Sequence, residues 1–290
     1  MKIKTTILFL FSLLFSFRAH GQLPASDSCF YTLAKAQQHV SEVVLLDLSG
    51  TAMTKVPDVI LQFPNIRYLY LQNNQLADLP IWMSELKNLE GINLNDNLFE
   101  KFPEVLLRLD KLRLLDLTMN HLMEIPDAID TLKALEQLLL SSNHLSDINR
   151  HIYNLSQLTE LRVRDNNLAE IPSGISKLNR LSVFCVAMNH IKLIPLEFFT
   201  LKNITYLSLF ENKIDTLSEH ICDFKKLGYF SIFSNRLHTI PDCLFSLPDI
   251  ATINAGNNLY STPYIEEKYR LNKGKVEIYL YPNMDRNYFH

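Results

Sequence analysis

Residues 112–134 read LRLLDLTMNHLMEIPDAIDTLKA, and residues 135–157 read LEQLLLSSNHLSDINRHIYNLSQ. Both stretches begin with the pattern L-x-x-L-x-L-x-x-N-x-L, in which x is any residue. The pattern returns every 23 residues without an insertion, and it starts ten times, at Val43, Ile66, Leu89, Leu112, Leu135, Leu158, Leu181, Ile204, Leu227 and Ile250. A strict period of this length is the signature of a repeat protein.

The second half of each repeat has its own regular positions. An apolar residue followed by proline stands at one point of seven repeats, as in Ile125-Pro126, while repeats five and eight carry Asn149 and Ser218 there. Alternating leucines such as Leu115 and Leu117 predict a short strand, because side chains two apart lie on the same side of a strand. A single unit cannot bury its apolar side, so the repeats must stack into one core. We therefore expect a parallel sheet with return segments on its opposite side.

A column of asparagines marks the end of the strand in every repeat but the first, which has Thr51. A buried amide can both donate to and accept from backbone groups that would otherwise have no partner, and each such group is worth about 1–3 kcal/mol. We therefore assign these residues to a structural ladder rather than to chemistry. The predicted ladder consists of Asn74, Asn97, Asn120, Asn143, Asn166, Asn189, Asn212, Asn235 and Asn258.

These columns resemble the leucine-rich-repeat family, in its I-P-x-x-I-x-x-L variant, over roughly residues 43–265. The resemblance implies an α/β fold, a solenoid curved like a horseshoe. Its parallel sheet would form the concave face, and short helical or extended return segments would form the convex face. It also implies a non-enzymatic module that recognises another protein.

The first 21 residues differ from the rest of the chain. Lys2 and Lys4 precede an apolar run over residues 7–17, and small residues follow before Gln22. This layout is typical of a secretory signal peptide, because the apolar run is well short of the roughly 20 residues that a spanning helix needs. We expect the mature chain to be exported and to contain no membrane span. If the segment is not cleaved, the alternative is a cytoplasmic signalling scaffold.

The expected organisation has four parts: a signal peptide over 1–21, an N-terminal capping segment over 22–42, ten repeats over 43–263 and a C-terminal cap over 264–290. The helical spacing of Phe30, Leu33, Ala36 and Val40 predicts a helix in the first cap. The second cap is predicted to contain a helix over 265–271 and a strand over 275–281.

The residues between the leucines predict the binding surface, since they point to the concave face of such a solenoid. In repeats three to six they are mostly charged or polar, and Arg162 and Arg164 form a rim that we expect to add specificity. In repeats seven to nine they are mostly apolar, and the predicted binding residues there are Val183, Met188, Tyr206, Phe210, Tyr229 and Phe233. The four aromatics are expected to form a solvent-facing patch. The alternative is that the C-terminal cap folds over them.

Composition and motifs favour binding over catalysis. The net charge of −3 argues against nucleic acid as a partner, and no catalytic, cofactor-binding or metal-binding motif occurs in the sequence. His121 and His144 share a column, but this pattern favours a solvated loop over a metal site. Cys222 and Cys243 lie in adjacent repeats two positions out of register, which favours free thiols but leaves a disulfide open.

The sequence therefore predicts a non-enzymatic, exported recognition module without cofactors. A protein is the favoured partner of its concave face, and a glycan is the second choice. A glycan-acting enzyme is the third hypothesis, and it has only scattered acidic residues in its favour.

Overall fold

The computed structural model describes residues 28–272, 274 and 276–280. The predicted signal peptide, residues 1–21, lies outside this range. Within the range, no helix combines the length and the apolar character that crossing a bilayer requires.

Twelve short strands form one sheet, in which every strand pairs in parallel with its neighbours in the chain. This confirms the predicted solenoid with its parallel sheet. The strands are β1 (Cys29–Phe30), β2 (Leu45–Asp47), β3 (Tyr68–Tyr70), β4 (Gly91–Asn93), β5 (Leu114–Asp116), β6 (Gln137–Leu139), β7 (Glu160–Arg162), β8 (Val183–Cys185), β9 (Tyr206–Ser208), β10 (Tyr229–Ser231), β11 (Thr252–Asn254) and β12 (Glu277–Tyr279). We call the sheet face that points away from the return segments the concave face.

Each return segment contains a five-residue 3-10 helix. In seven of the nine, the residue before the helix is the repeated proline, whose extended backbone turns the chain into the helix. Asn149 and Ser218 replace it in the other two, and each side chain accepts a hydrogen bond from a backbone N–H of its helix. The helices span Asp58–Gln62, Ile81–Glu85, Glu104–Arg108, Asp127–Thr131, Arg150–Asn154, Ser173–Lys177, Leu196–Thr200, Glu219–Asp223 and Asp242–Ser246.

The core lies between the sheet and the return helices and runs through all the repeats as one apolar cluster. Repeats two to six fill most of it with leucine and isoleucine, whereas repeats seven to nine insert phenylalanines. Phe198 lies at the centre of the latter group, with its ring 5.3 Å from that of Phe184 and 5.4 Å from that of Phe224. The same repeat geometry thus accepts two kinds of apolar filling.

The column asparagines are buried, except for the half-buried Asn258, and they bond the backbone of two consecutive repeats. Asn143 is typical, because its Nδ2 donates to the carbonyls of Leu117 (2.9 Å) and Leu140 (3.1 Å). Its Oδ1 accepts from the N–H of Leu122 at 2.9 Å. In the first repeat, the Thr51 hydroxyl donates to Leu48 O and Asn74 Oδ1. Each amide therefore ties one turn of the solenoid to the next.

The N-terminal segment differs from the predicted capping helix. Cys29–Phe30 pairs with β2 as the first strand of the sheet, and the helix that follows, α1 (Leu33–Ala36), has only four residues. The Thr32 side chain accepts from the Lys35 N–H and fixes where this helix begins. The sheet edge thus takes the residues that helical spacing had assigned to a helix, since strand pairing satisfies their backbone groups.

The C-terminal segment contains helix α2 (Thr262–Asn272) and strand β12. The Tyr264 hydroxyl accepts from the Ile240 N–H at 2.7 Å and donates to the Ile240 carbonyl at 3.1 Å. Lys268 forms an ion pair with Asp242. Helix α2 therefore packs against the last return segment.

Cys222 and Cys243 form a disulfide, although their spacing favoured free thiols. Their Cα atoms are 5.9 Å apart, inside the usual range for a bond. Adjacent return helices lie close enough that an offset of two positions does not separate the side chains. Cys185 is a buried free thiol.

Candidate binding surface on the concave face

The strand register aligns equivalent residues of neighbouring repeats, and each set of aligned residues forms one column across the concave face. Tyr206 pairs with Tyr229 across β9 and β10, and Ser208 pairs with Ser231. Because alternate residues of a strand face opposite sides, both pairs lie on the concave face, while the intervening Phe230 lies in the core.

The two tyrosines form a stacked pair. Their ring centroids are 4.6 Å apart and their planes differ by 7°. Arg162, on β7, places its guanidinium carbon 5.6 Å from the centre of the Tyr206 ring, on the side away from Tyr229. Burial raises the pKa of both tyrosine hydroxyls, so the hydroxyls stay protonated at neutral pH. The two faces of the Tyr206 ring are thus covered by a tyrosine and an arginine.

Phe210 and Phe233 complete the group of four, which we call the aromatic patch (Tyr206, Phe210, Tyr229 and Phe233). The structure corrects the expectation that all four face solvent, because Phe210 is 9% exposed and the other three are half-buried. The reason is local packing. Arg164 stacks on the Phe210 ring, with its guanidinium carbon 5.1 Å from the ring centre.

A second apolar cluster lies on the concave face of the sheet and shares Phe210 with the aromatic patch. It consists of Cys185, Ala187 and Phe210, against which Met188, Tyr206 and Phe233 pack. Arg164 donates two hydrogen bonds to the Met188 sulfur, at 3.3 and 3.2 Å. Val183 lies half-buried in the same column as Tyr206. The predicted residues of repeats six to nine are therefore brought together on one surface.

The charged repeats hold their charges in pairs. Arg67 forms a bidentate ion pair with Glu90, with nitrogen–oxygen distances of 2.7 Å, and Arg113 does the same with Glu136. Further along, Gln137 Nε2 donates to Glu160 at 3.0 Å, and Glu160 also pairs with Arg162. The surface of repeats two to six is polar but largely neutralised by its own contacts.

Asp116 is the exception in this region, because it is buried without a cation against it. Its Oδ1 accepts from the Thr118 N–H at 2.9 Å. Burial raises the pKa of Asp116 to about 6. The strand register in the sequence places Asp116, Cys185 and Ala187 on the concave face, but it does not show that Asp116 is buried or that Cys185 and Ala187 pack against Phe210.

Among the residues that the structure describes, no group of three or more His, Cys, Asp or Glu side chains is placed to hold a metal ion. The surface offers stacking, apolar contact and a few oriented cations, which are the elements of binding rather than of covalent catalysis.

A family model described as leucine rich repeats in two copies matches residues 64–107, in repeats two and three. Together with the twelve parallel strands and the asparagine ladder, this match shows that the chain has the leucine-rich-repeat fold. No curated protein sequence matches it.

Solved structures of other leucine-rich-repeat proteins share the fold. A leucine-rich-repeat protein of Leptospira interrogans is 24% identical, with a TM-score of 0.61 over 87% of this chain and 82% of that chain. An internalin of Listeria monocytogenes is 20% identical, with a TM-score of 0.69 over 89% of this chain and 73% of that chain.

A third structure comes from a plant. The leucine-rich-repeat ectodomain of the membrane receptor kinase GASSHO1/SCHENGEN3 of Arabidopsis thaliana was solved in complex with Casparian strip integrity factor 2. It is 28% identical, with a TM-score of 0.63 over 74% of this chain, but this chain spans only 27% of that ectodomain. Leucine-rich-repeat folds generally mediate protein–protein interactions, through the extended surfaces that stacked repeats create.

Proposed function

We propose that the mature chain is exported and binds a protein partner through the aromatic patch and its arginine rim, Arg162 and Arg164. The observation that carries this proposal is the apolar cluster on the concave face, where Cys185, Ala187 and Phe210 pack. A sheet needs such a cluster only on its core side. Met188, Tyr206 and Phe233 pack on this additional cluster and are only half-buried, and a partly exposed apolar patch of this kind is typical of an interaction site.

The composition of the surface supports a protein as the partner. Tyrosine and arginine are among the residues most often found to dominate binding energy. Arg162 and Arg164 are already stacked on aromatic rings, so they lose less conformational freedom when a partner binds. The plant receptor ectodomain, which was solved with a bound factor, offers a precedent for a macromolecular ligand on this fold.

A glycan fits this surface less well. Sugar rings stack on open aromatic faces, but Tyr206 has one face against Tyr229 and the other beneath Arg162. Partner side chains can instead pack against the ring edges and the half-buried Phe233. The same geometry disfavours a glycan-acting enzyme, because it leaves no free ring face at Tyr206 to hold the substrate.

The test is retention of a partner from native extracellular material on the immobilised mature chain. Tyr206→Ala/Phe233→Ala is compared with wild type, and Tyr68→Ala is the control, because Tyr68 occupies the same column in the charged region. We expect the folded double variant to lose a partner that wild type and Tyr68→Ala retain. Equal retention by all three would move the site away from the aromatic patch.

Export is tested separately by sequencing the N-terminus of the chain recovered from its natural host. We expect Gln22 as the first residue. A chain that retains Met1 would contradict export and support the alternative of an intracellular scaffold.

A further inference from the structure

A group of methionines and histidines lies away from the aromatic patch, on the loops that follow β5 and β6. Met119, His121 and Met123 are exposed, and they alternate along the chain with the buried residues Asn120 and Leu122. Met119 is 45% exposed and Met123 is 70% exposed. Two exposed thioethers therefore stand on either side of one histidine in the sequence.

The next repeat adds a second histidine to this group. His144 occupies the position of His121 one repeat later, and the two exposed rings are 5.8 Å apart with planes 17° from parallel. A shallow depression of about 480 Å³ includes Met119 and both histidines in its lining. Two imidazoles and one thioether therefore border one open space, and Met123 follows His121 by two residues in the chain.

Met119 is also an unusual occupant of its backbone position. The residue before each ladder asparagine has a left-handed backbone, and Met119 has a φ of 54°. Most other repeats use Gly, Asn, Asp or Ser at this point, residues that tolerate a positive φ or are small. Met188 is the other methionine in the column, and its sulfur accepts hydrogen bonds from Arg164. Met119 has its side chain in solvent instead.

We propose that Met119, His121, Met123 and His144 bind a soft monovalent metal ion, Cu(I) or Ag(I). Thioethers select such ions, and neutral imidazole nitrogens complete the low-coordinate sites that they prefer. Neighbouring strands are about 4.8 Å apart, and residues two apart along an extended chain are separated by about 6.6 Å. The three rotatable bonds of each methionine side chain cover distances of this size.

The competing chemistry is a divalent ion held by the two histidine rings, since Zn(II) prefers imidazole to thioether ligands. Asp96 and Asp165 also line the depression, but neither is placed with both histidines as a three-residue metal site. The two hypotheses differ in one observable, which is whether the methionine sulfurs bind. The experiment is therefore built on the methionine methyl groups.

The mature chain is labelled with carbon-13 at its methionine methyls and titrated with silver nitrate in chloride-free buffer, because Ag(I) needs no reductant. Cys29→Ser and Cys185→Ser remove the two cysteines outside the Cys222–Cys243 disulfide, and serine already occupies the column of Cys185 at Ser208. We expect the Met119 and Met123 methyl signals to shift and to saturate near one equivalent. Met188 should not move, and it is the internal control.

Affinity is then measured by competition with a chelator. Met119→Leu/Met123→Leu and His121→Asn/His144→Asn should each weaken Ag(I) binding by about tenfold or more, whereas Met188→Leu should bind like wild type. Asparagine is chosen because Asn167 holds the same position in the next repeat. Unmoved Met119 and Met123 signals would overturn the proposal, and so would wild-type affinity in folded variants. Tighter binding of Zn(II) than of Ag(I) with unmoved methyls would assign the site to the divalent alternative.

Discussion

Repeats two to six and repeats seven to nine share one backbone, one strand register and one asparagine ladder, yet their concave faces carry opposite chemistry. The first group pairs its charges, as in Arg67–Glu90 and Arg113–Glu136. The second group stacks Tyr206 on Tyr229 over an apolar cluster. The inner filling differs as well, because leucine and isoleucine give way to phenylalanine around Phe198.

This comparison separates what the fold requires from what it leaves open. The inward leucines and the asparagines recur in both regions, because the core and the backbone hydrogen bonds depend on them. The residue types that point to the concave face differ between the two regions, because neither the core nor the asparagine ladder depends on them. Concave-face positions at which the two regions differ are therefore the best candidates for functional residues.

The largest effect is expected in the phenylalanine core. Phe198 and Leu106 occupy the same column and are both fully buried. Phe198→Ala should lower the free energy of unfolding by about 3–5 kcal/mol, and Leu106→Ala by about 2–5 kcal/mol, because each leaves a cavity. Urea denaturation of both variants measures the difference. If Phe198→Ala cost less than about 1 kcal/mol, the phenylalanine cluster would not be a packed core.

Loss of a ladder asparagine should lower the free energy of unfolding by the same amount in both regions. Asn143→Ala removes an acceptor for the Leu122 N–H and a donor for the Leu140 carbonyl. Asn235→Ala does the same in the aromatic region, for the Ile214 N–H and the Ile232 carbonyl. Since each buried group left without a partner costs about 1–3 kcal/mol, we expect a loss of at least about 2 kcal/mol in each variant.

Melting temperatures check this pair of variants. Both should fall by similar amounts. A drop in only one of them would show that the ladder is not equivalent along the solenoid, and two unchanged melts would remove its role in stability.

The fold was predictable because its determinants recur. Columns of leucine and asparagine recur every 23 residues, so all ten repeats give the same structural prediction. That prediction is a solenoid with a parallel sheet. The ends of the chain have no such repetition. Helical spacing at Phe30 and Leu33 therefore suggested a long helix where the structure pairs Cys29–Phe30 with the sheet.

The sequence predicts which residues lie on the candidate surface, but it does not predict how their side chains pack. Alternation along the strands places Tyr206 and Phe233 on the concave face, and the register places them in neighbouring repeats. Side-chain packing between columns has no periodic signal. The stacking of Arg164 on Phe210, which leaves Phe210 buried, therefore could not be deduced from the sequence.

A pH dependence in the acidic range is expected in the charged region. The pKa of Asp116 is raised to about 6 in the fold, from 3.8 for the ordinary group. Between these pH values the folded chain holds a proton that the unfolded chain releases, so stability falls as the pH rises, by about 1.4 kcal/mol per pH unit. Asp116→Asn keeps an acceptor for the Thr118 N–H and removes this loss.

Chemical denaturation at two pH values makes the test. At pH 7.5 the Asp116→Asn variant should be more stable than wild type by about 2 kcal/mol, and near pH 4 the two should agree. Asn93 is the matched position one strand away, and Asn93→Asp should steepen the loss with pH. A constant difference between the Asp116→Asn variant and wild type would show that the carboxyl does not titrate in this range.

The smallest effect is expected from the ion pairs that distinguish the charged region. Arg67 and Glu90 form a bidentate pair near the surface, and that contact lowers the pKa of Glu90 although burial alone would raise it. A double-mutant cycle with Arg67→Ala and Glu90→Ala should give a coupling of about 0.2–1 kcal/mol, which falls in 1 M salt because exposed charges are screened. A coupling that salt leaves unchanged would mean that the charged columns are held by packing, as the aromatic ones are, and the contrast between the two regions would then rest on shape and not on charge.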